Sequence, residues 1–199
     1  MIKILITGSI GAGKSTVCKL FEELGISVYY SDLEAKKIMD TNPYVAIRIK
    51  KLFGDDIYKN GVLDRKYVAD MVFKNKDMLS KLNEIVHPAV YFNFNEWYNL
   101  EKMRDSPYVI QESAIAIDMG IKDTFDYTIV VTADQGVRIN RVIARDNCDR
   151  EDVIARMNSQ ISDEEKLKHA DFIIVNNDFP NIKCQVKSIH NKILEIIKK

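Results

Sequence analysis

A short, mostly apolar stretch, Ile2-Lys3-Ile4-Leu5-Ile6, runs through Thr7 into Gly8-Ser9-Ile10-Gly11-Ala12-Gly13-Lys14-Ser15, a complete G-x-x-x-x-G-K-[ST] pattern. The pattern constrains the fold because it works only between a strand and a helix. Its glycines let the backbone turn tightly and bring N–H groups against an anion, and the following helix points its positive dipole end at the same anion. Both flanks are present: Val17, Leu20, Phe21 and Leu24 recur at helical spacing until Gly25 closes the helix. A glycine-rich turn without a ligand would have no reason to carry these flanks. Gly8, Gly11, Ala12, Gly13 and Thr16 are therefore expected to shape a cradle for the phosphates of a nucleoside triphosphate, with Lys14 reaching the β- and γ-phosphates. The Ser15 hydroxyl is expected to take one position on a Mg²⁺ ion whose other ligands are water and phosphate.

Strand-like and helix-like segments alternate at both ends of the chain, as a parallel sheet with crossover helices requires. After the first strand, residues 26–30, 108–111, 127–131 and 172–175 read as strands. From 43 to 103 the period is helical, carried by Ile47, Leu52, Phe53, Val68, Met71, Val72, Leu79, Leu82, Ile85 and Val86. This stretch shows no strand, and Asn42-Pro43, Asn60-Gly61 and His87-Pro88 punctuate it. The expected fold is α/β, a phosphate-loop NTPase core with a five-stranded parallel sheet, a helical insertion and an arginine-rich helical lid. The expected division is a core over 1–40, 106–133 and 168–199, a helical substrate-binding domain over 41–105 and a lid over 134–167. The last helix, 180–199, carries Ile182, Val186, Ile189, Ile193 and Ile196 on one face, and its His190 is expected at the surface.

Charge and cysteine content narrow the partners. The 199 residues hold 29 bases and 29 acids, so the balance gives no reason to expect nucleic acid or an anionic membrane, and small-molecule substrates are the expected partners. Cys18, Cys148 and Cys184 are far apart with no C-x-x-C, which points away from a disulfide framework or a zinc site and towards a reduced cytoplasm. The N-terminal apolar run is too short for a signal sequence, and no stretch approaches the ~20 apolar residues of a membrane span.

Arginine is concentrated late in the chain. Arg138, Arg141, Arg145, Arg150 and Arg156 fall within nineteen residues, and the first three follow i, i+3, i+7 spacing on one helix face. Their planar donor forks are expected to converge on a phosphate cluster, as part of a cover that excludes water and offsets charge on a transferred phosphoryl group. The alternative is a solvated helix paired with Asp146, Asp149, Glu151 and Asp152.

Two acids stand near the ends of expected strands. Ser31-Asp32-Leu33-Glu34 has capping-box spacing, so Ser31 is expected to cap a helix with Asp32 in its first turn. Asp32 then either complements the helix dipole or accepts the proton of an attacking hydroxyl. Glu112, past the third strand, is a further acid for orienting Mg²⁺-bound water or substrate. Asn176 and Asn177 follow the last strand, where a base can be read or where asparagine serves turn chemistry.

Taken together, the sequence resembles the dephospho-coenzyme A kinase family over nearly its whole length. The features that carry the likeness are the phosphate loop, Asp32, Gly61-Val62-Leu63-Asp64-Arg65, His87-Pro88, Arg141-x-x-x-Arg145, Gln160, Ala170-Asp171 and Asn176. The resemblance implies a phosphate-loop core with a helical substrate domain and a lid. It also implies ATP-dependent phosphorylation of the ribose 3′-hydroxyl of dephospho-coenzyme A, the final step of coenzyme A synthesis, by a transferase with an alcohol acceptor. It makes Asp32 the base, residues 11–16 the ATP loop with Arg141 and Asn176 beside the nucleotide, and Arg145 a lid contact to phosphates. Arg65 and His87 match the substrate-domain motifs that hold the acceptor. Two positions depart from the family: Tyr30-Ser31-Asp32 replaces Asp-Ala-Asp, and Ala114-Ile115-Ala116-Ile117-Asp118 replaces Pro-Leu-Leu-Phe-Glu.

Other readings fit less of the chain. A deoxynucleoside kinase would share the loop, and Glu112-Ser113 faintly matches its acidic motif, but the adjacent arginine and the R-x-R lid spacing are missing. A nucleoside monophosphate kinase usually has a shorter insertion. A non-enzymatic nucleotide switch would want N-K-x-D, which Asn176-Asn177-Asp178 does not supply.

Overall fold

Strand β1 (Ile2–Thr7) is buried over its last four residues, as befits a strand covered on both faces. Helix α1 (Lys14–Glu22) follows the glycine loop and buries Val17, Cys18, Leu20 and Phe21; Leu24, the fourth residue of the sequence period, lies past its end and is exposed. Strand β2 (Ser27–Tyr30) comes next. The computed structural model describes residues 1–104 and 106–198. Asp105, the expected last residue of the helical domain, and Lys199, the expected end of the last helix, lie outside the described residues.

The chain folds as two compact units, Tyr30–Leu100 and the remainder. The first contains α2 (Ser31–Thr41), α3 (Pro43–Phe53), a 3-10 turn, two short strands, β3 (Tyr58–Lys59) and β4 (Val62–Leu63), and α4 (Arg65–Lys74). Most of α5 (Lys76–Lys102) also belongs to it. Three expectations are corrected here. The 43–103 stretch does contain strands: β3 and β4 pair as an antiparallel hairpin whose turn places Asn60 at φ 52° and Gly61 at φ 81°. That is the geometry an Asn-Gly pair favours, but two-residue strands leave no periodic signal. His87-Pro88 does not break the chain; Pro88 lies inside α5. An internal proline costs a helix ~3 kcal/mol, here offset by burial of Leu82, Ile85, Val86, Val90 and Phe94 around it. Nor does Ser31 cap α2. The helix starts directly from the strand, so Tyr30 takes the N-cap position, Ser31 is already helical, and no side chain supplies a cap hydrogen bond.

The second unit continues with β5 (Tyr108–Glu112), β6 (Tyr127–Thr132), α6 (Gln135–Asp146), α7 (Arg150–Asn158), α8 (Asp163–Lys168), β7 (Phe172–Val175) and α9 (Phe179–Ile197). The parallel sheet has the order β2-β5-β1-β6-β7, with the phosphate-loop strand at its centre. Non-adjacent sequence order is what crossover helices produce, and it brings the loops after β1, β5 and β7 to one edge. Helix α9 buries Ile182, Val186, Ile189 and Ile193. His190 is not simply a surface residue: its Nδ1 bonds the hydroxyl of the fully buried Tyr108 at 2.7 Å, tying α9 to β5. Among the described residues no helix is long and apolar enough to cross a membrane.

Candidate active site

At Gly13 the loop turns with φ 87°, and a β-carbon there would come within 2.0 Å of Asn176 Nδ2. Backbone angle and space both require glycine. Asn176, buried just past β7, donates from Nδ2 to the Ala12 carbonyl at 2.8 Å and accepts from Arg141 Nη2 at 3.3 Å. Arg141 Nη1 is buried on the same side, without a hydrogen-bond partner among the described residues. A buried guanidinium nitrogen is costly to leave unsatisfied, so this donor marks a place for an acceptor from outside the chain. Lys14 Nζ folds over the loop and donates to the Gly8 carbonyl at 2.8 Å. Lys14 Nζ and Arg141 Nη1 are cationic donors, which suits polyphosphate. Ser15 is exposed at the start of α1. Magnesium ions that bind nucleotides keep mostly water and phosphate ligands, and one hydroxyl at this position fits that requirement.

The arginines do not share one target. Arg138 is buried against Asp163, with Nη2 to Oδ2 at 2.5 Å and Nη1 to Oδ1 at 3.3 Å. Arg141 faces Asn176. Arg145, exposed in the last turn of α6, makes a two-pronged bond to Asp146, Nε at 2.7 Å and Nη2 at 3.0 Å, and Arg156 reaches the same carboxylate at 2.9 Å. The Arg145 hydrogen bond holds the Asp146 carboxyl below the usual carboxylate range. Spacing puts the three on one helix face, but side chains up to two turns apart meet different neighbours.

Glu112 ends β5, buried, and its register partner on β1 is Ile6, two residues before the loop glycine. In the other unit, Asp32 stands exposed in the first turn of α2. Arg65 is already engaged there: its Nη2 bonds the Lys36 carbonyl at 3.0 Å and pairs with Asp40. Asp40 also accepts from the Leu63 N–H at 3.2 Å, and burial, then Asp40, push the nearby Tyr58 hydroxyl up to about 12. Arg65 Nε is buried without a partner among the described residues. His87 is half-buried on α5, and burial lowers its imidazole pKa.

Sequence reasoning missed Asp163 and Lys166. Asp163 lies in the first turn of α8 behind the Ser162 cap, where an acid looks like ordinary dipole complement. Lys166 is fully buried, 3.4 Å from the Ala114 carbonyl and 3.9 Å from Asp118, in a sequence context that reads as a charged surface helix.

The dephospho-CoA kinase family model matches residues 2–181. A dephospho-CoA kinase of Bacteroides fragilis is 38% identical over 176 residues, covering 88% of this chain and 85% of that protein. Among solved structures, TT1252 from Thermus thermophilus superposes with a TM-score of 0.83 at 32% identity, covering 96% of this chain and 97% of the other. The dephospho-CoA kinase from Campylobacter jejuni does so with a TM-score of 0.71 at 29% identity, covering 96% of each.

Proposed function

The chain belongs to the dephospho-CoA kinase family, and from that premise we propose the roles of its residues in the family's reaction. That reaction moves the γ-phosphoryl group of ATP to the ribose 3′-hydroxyl of dephospho-coenzyme A, giving coenzyme A and ADP, the last step of coenzyme A synthesis. The phosphate loop, Gly8 to Thr16, holds the triphosphate, with Arg141 and Asn176 beside it. Lys14 leaves the Gly8 carbonyl for the β- and γ-phosphates. Ser15 Oγ would hold Mg²⁺, and the ion when bound would supply charge that offsets that of the phosphate oxygens.

Asp32 accepts the proton of the 3′-hydroxyl as its oxygen bonds to the γ-phosphorus and the bond to the β,γ-bridging oxygen breaks. Arg145 exchanges Asp146 for phosphate oxygens, and within the lid segment, residues 134–167, the part around Arg145 and Arg156 moves while Arg138 and Asp163 stay on the phosphate loop. The helical unit holds the acceptor, with Arg65 and His87 the contacts, while Glu112 orients water or substrate at the sheet edge. Free cysteines at 18, 148 and 184 fit a reducing, cytoplasmic setting.

The observation that carries the nucleotide assignment is the buried, unpartnered Nη1 of Arg141 on the Asn176 side of Gly13. The test is ATP consumption with dephospho-coenzyme A, with deoxynucleosides and with no acceptor. Turnover only with the first is expected; turnover with deoxynucleosides alone, or without acceptor, rejects the acceptor assignment.

A further inference from the structure

The first half of the phosphate loop is tied to the segment that follows β6. Ser9, buried, donates its hydroxyl to Asp163, and the Ile10 N–H donates to Gln160 Oε1 at 3.1 Å. The Ile10 side chain packs on the cluster of Ile139, Val142 and Val153 between α6 and α7. Gly11 lies against the backbone of Arg138, where a β-carbon would come within 2.5 Å of the Arg138 carbonyl oxygen. The first half of the loop is thus bound through side chain, amide and van der Waals contact to the segment from α6 to α8. The second half, Gly13 to Thr16, contains the lysine and hydroxyls suited to phosphate.

We infer that Arg138 and Asp163 are positioning residues for the nucleotide: an ion pair, its guanidinium buried and its carboxylate partly exposed, that fixes the first half of the phosphate loop so that the second half meets a triphosphate already in shape. The inference rests on the nucleotide reading of the loop. Two features of the pair support it. The Asp163 carboxylate serves Ser9 and Arg138 together, so it couples the loop directly to α6. Its negative charge also stands close to where a polyanion would bind, and the buried guanidinium cancels it. Removing the arginine alone would leave a carboxylate that repels the triphosphate; removing the carboxylate's charge alone would leave a cation that attracts it. A brace that acted only on stability would not show this asymmetry.

The experiment measures binding of a non-hydrolysable ATP analogue by calorimetry to the full chain, alongside melting temperature and the KM for each substrate. Arg138→Gln is expected to weaken analogue binding ~10- to 100-fold, the range seen when groups that orient direct ligands are lost. The KM for ATP should rise with it, while the KM for dephospho-coenzyme A holds. Asp163→Asn, which keeps an acceptor for Ser9, is expected to weaken binding less, and the Arg138→Gln/Asp163→Asn pair should bind more tightly than Arg138→Gln alone. Wild-type affinity in a folded Arg138→Gln protein, or equal losses in both single variants with none recovered in the pair, overturns the inference. If Arg138→Gln does not fold, Ser9→Ala carries the test, with ~3- to 10-fold weaker binding expected for one lost hydrogen bond and unchanged binding overturning the inference. A wild-type chain that fails to bind the analogue rejects the nucleotide reading itself.

Discussion

Arg138 and Arg145 stand two turns apart on one helix, and their surroundings give them opposite uses. Arg138 is buried and spends both terminal nitrogens on Asp163, whose other partner is Ser9 of the phosphate loop. Arg145 is exposed and bonds its sequence neighbour Asp146, a carboxylate that Arg156 also reaches. Separating this pair strands the buried guanidinium, while Asp163 keeps 32% of its side-chain surface in solvent, so the cost lies between that of an exposed pair and the ~3 to 5 kcal/mol of a fully buried one. Separating the exposed pair costs little, since solvent replaces what is lost and Arg156 stays with Asp146. Burial thus turns one arginine into scaffold and leaves the other able to change partners.

The largest expected effect tests whether the loop's open half does the binding that the contrast gives it. Lys14→Ala should lower turnover on the order of 10³-fold while the melting temperature barely moves, because a cation on phosphate contributes to charge stabilisation and little to the core. Steady-state kinetics with a thermal melt checks it; an active variant breaks the assignment of the loop to phosphate.

Next comes the contrast itself. Arg145→Ala should cost ~2 to 4 kcal/mol of transition-state stabilisation, with unfolding free energy changed by less than ~0.5 kcal/mol. Arg145→Lys should recover part of the rate, keeping charge but losing the two-pronged geometry. Arg138→Ala should show the reverse balance in denaturant unfolding, a stability loss of ~1 to 3 kcal/mol. Amide exchange sharpens the point: residues near Arg145 and Arg156 should be protected when an ATP analogue and dephospho-coenzyme A are bound together, while those near Arg138 should be slow in both states. Equal destabilisation by both alanine substitutions would erase the distinction.

A similar loss is expected from an exposed acid in the other unit. Asp32→Asn should lower kcat by ~10²-fold with a much smaller effect on ATP affinity, as removal of a general base does. Unchanged turnover would leave Asp32 as a first-turn acid complementing the dipole of α2.

The smallest effect concerns a side chain between the two cases. His190 is partly exposed yet bonded to buried Tyr108, and burial lowers its imidazole pKa from the ordinary 6.5. The unfolded chain therefore takes up this proton first as pH falls. The contribution to stability is complete above about pH 6.5 and declines below it, towards the lowered folded value. His87 has the same sign. His190→Gln should flatten part of the fall in melting temperature between pH 7 and 5, checked by melts across that range; an unchanged slope would remove His190 from the account.

Local order in the chain was enough for much of this. A strand, a glycine loop and a helix in sequence specify their own geometry, because backbone angles, helix period and dipole direction are all set within about twenty residues. The strands of the parallel sheet, β2, β5, β6 and β7, and the face of α9 were legible for the same reason, since continuous apolar runs and a 3.6-residue repeat are local signals. Tertiary contact decided the rest. The β3–β4 hairpin is too short to leave a period, and Pro88 stays helical because burial on both sides outweighs its local penalty. The run of arginines showed that a helix face was basic. Which arginine would be buried depended on Asp163, twenty-five positions away, and on Ser9, far across the chain, and long-range partners of that kind leave no spacing in a sequence.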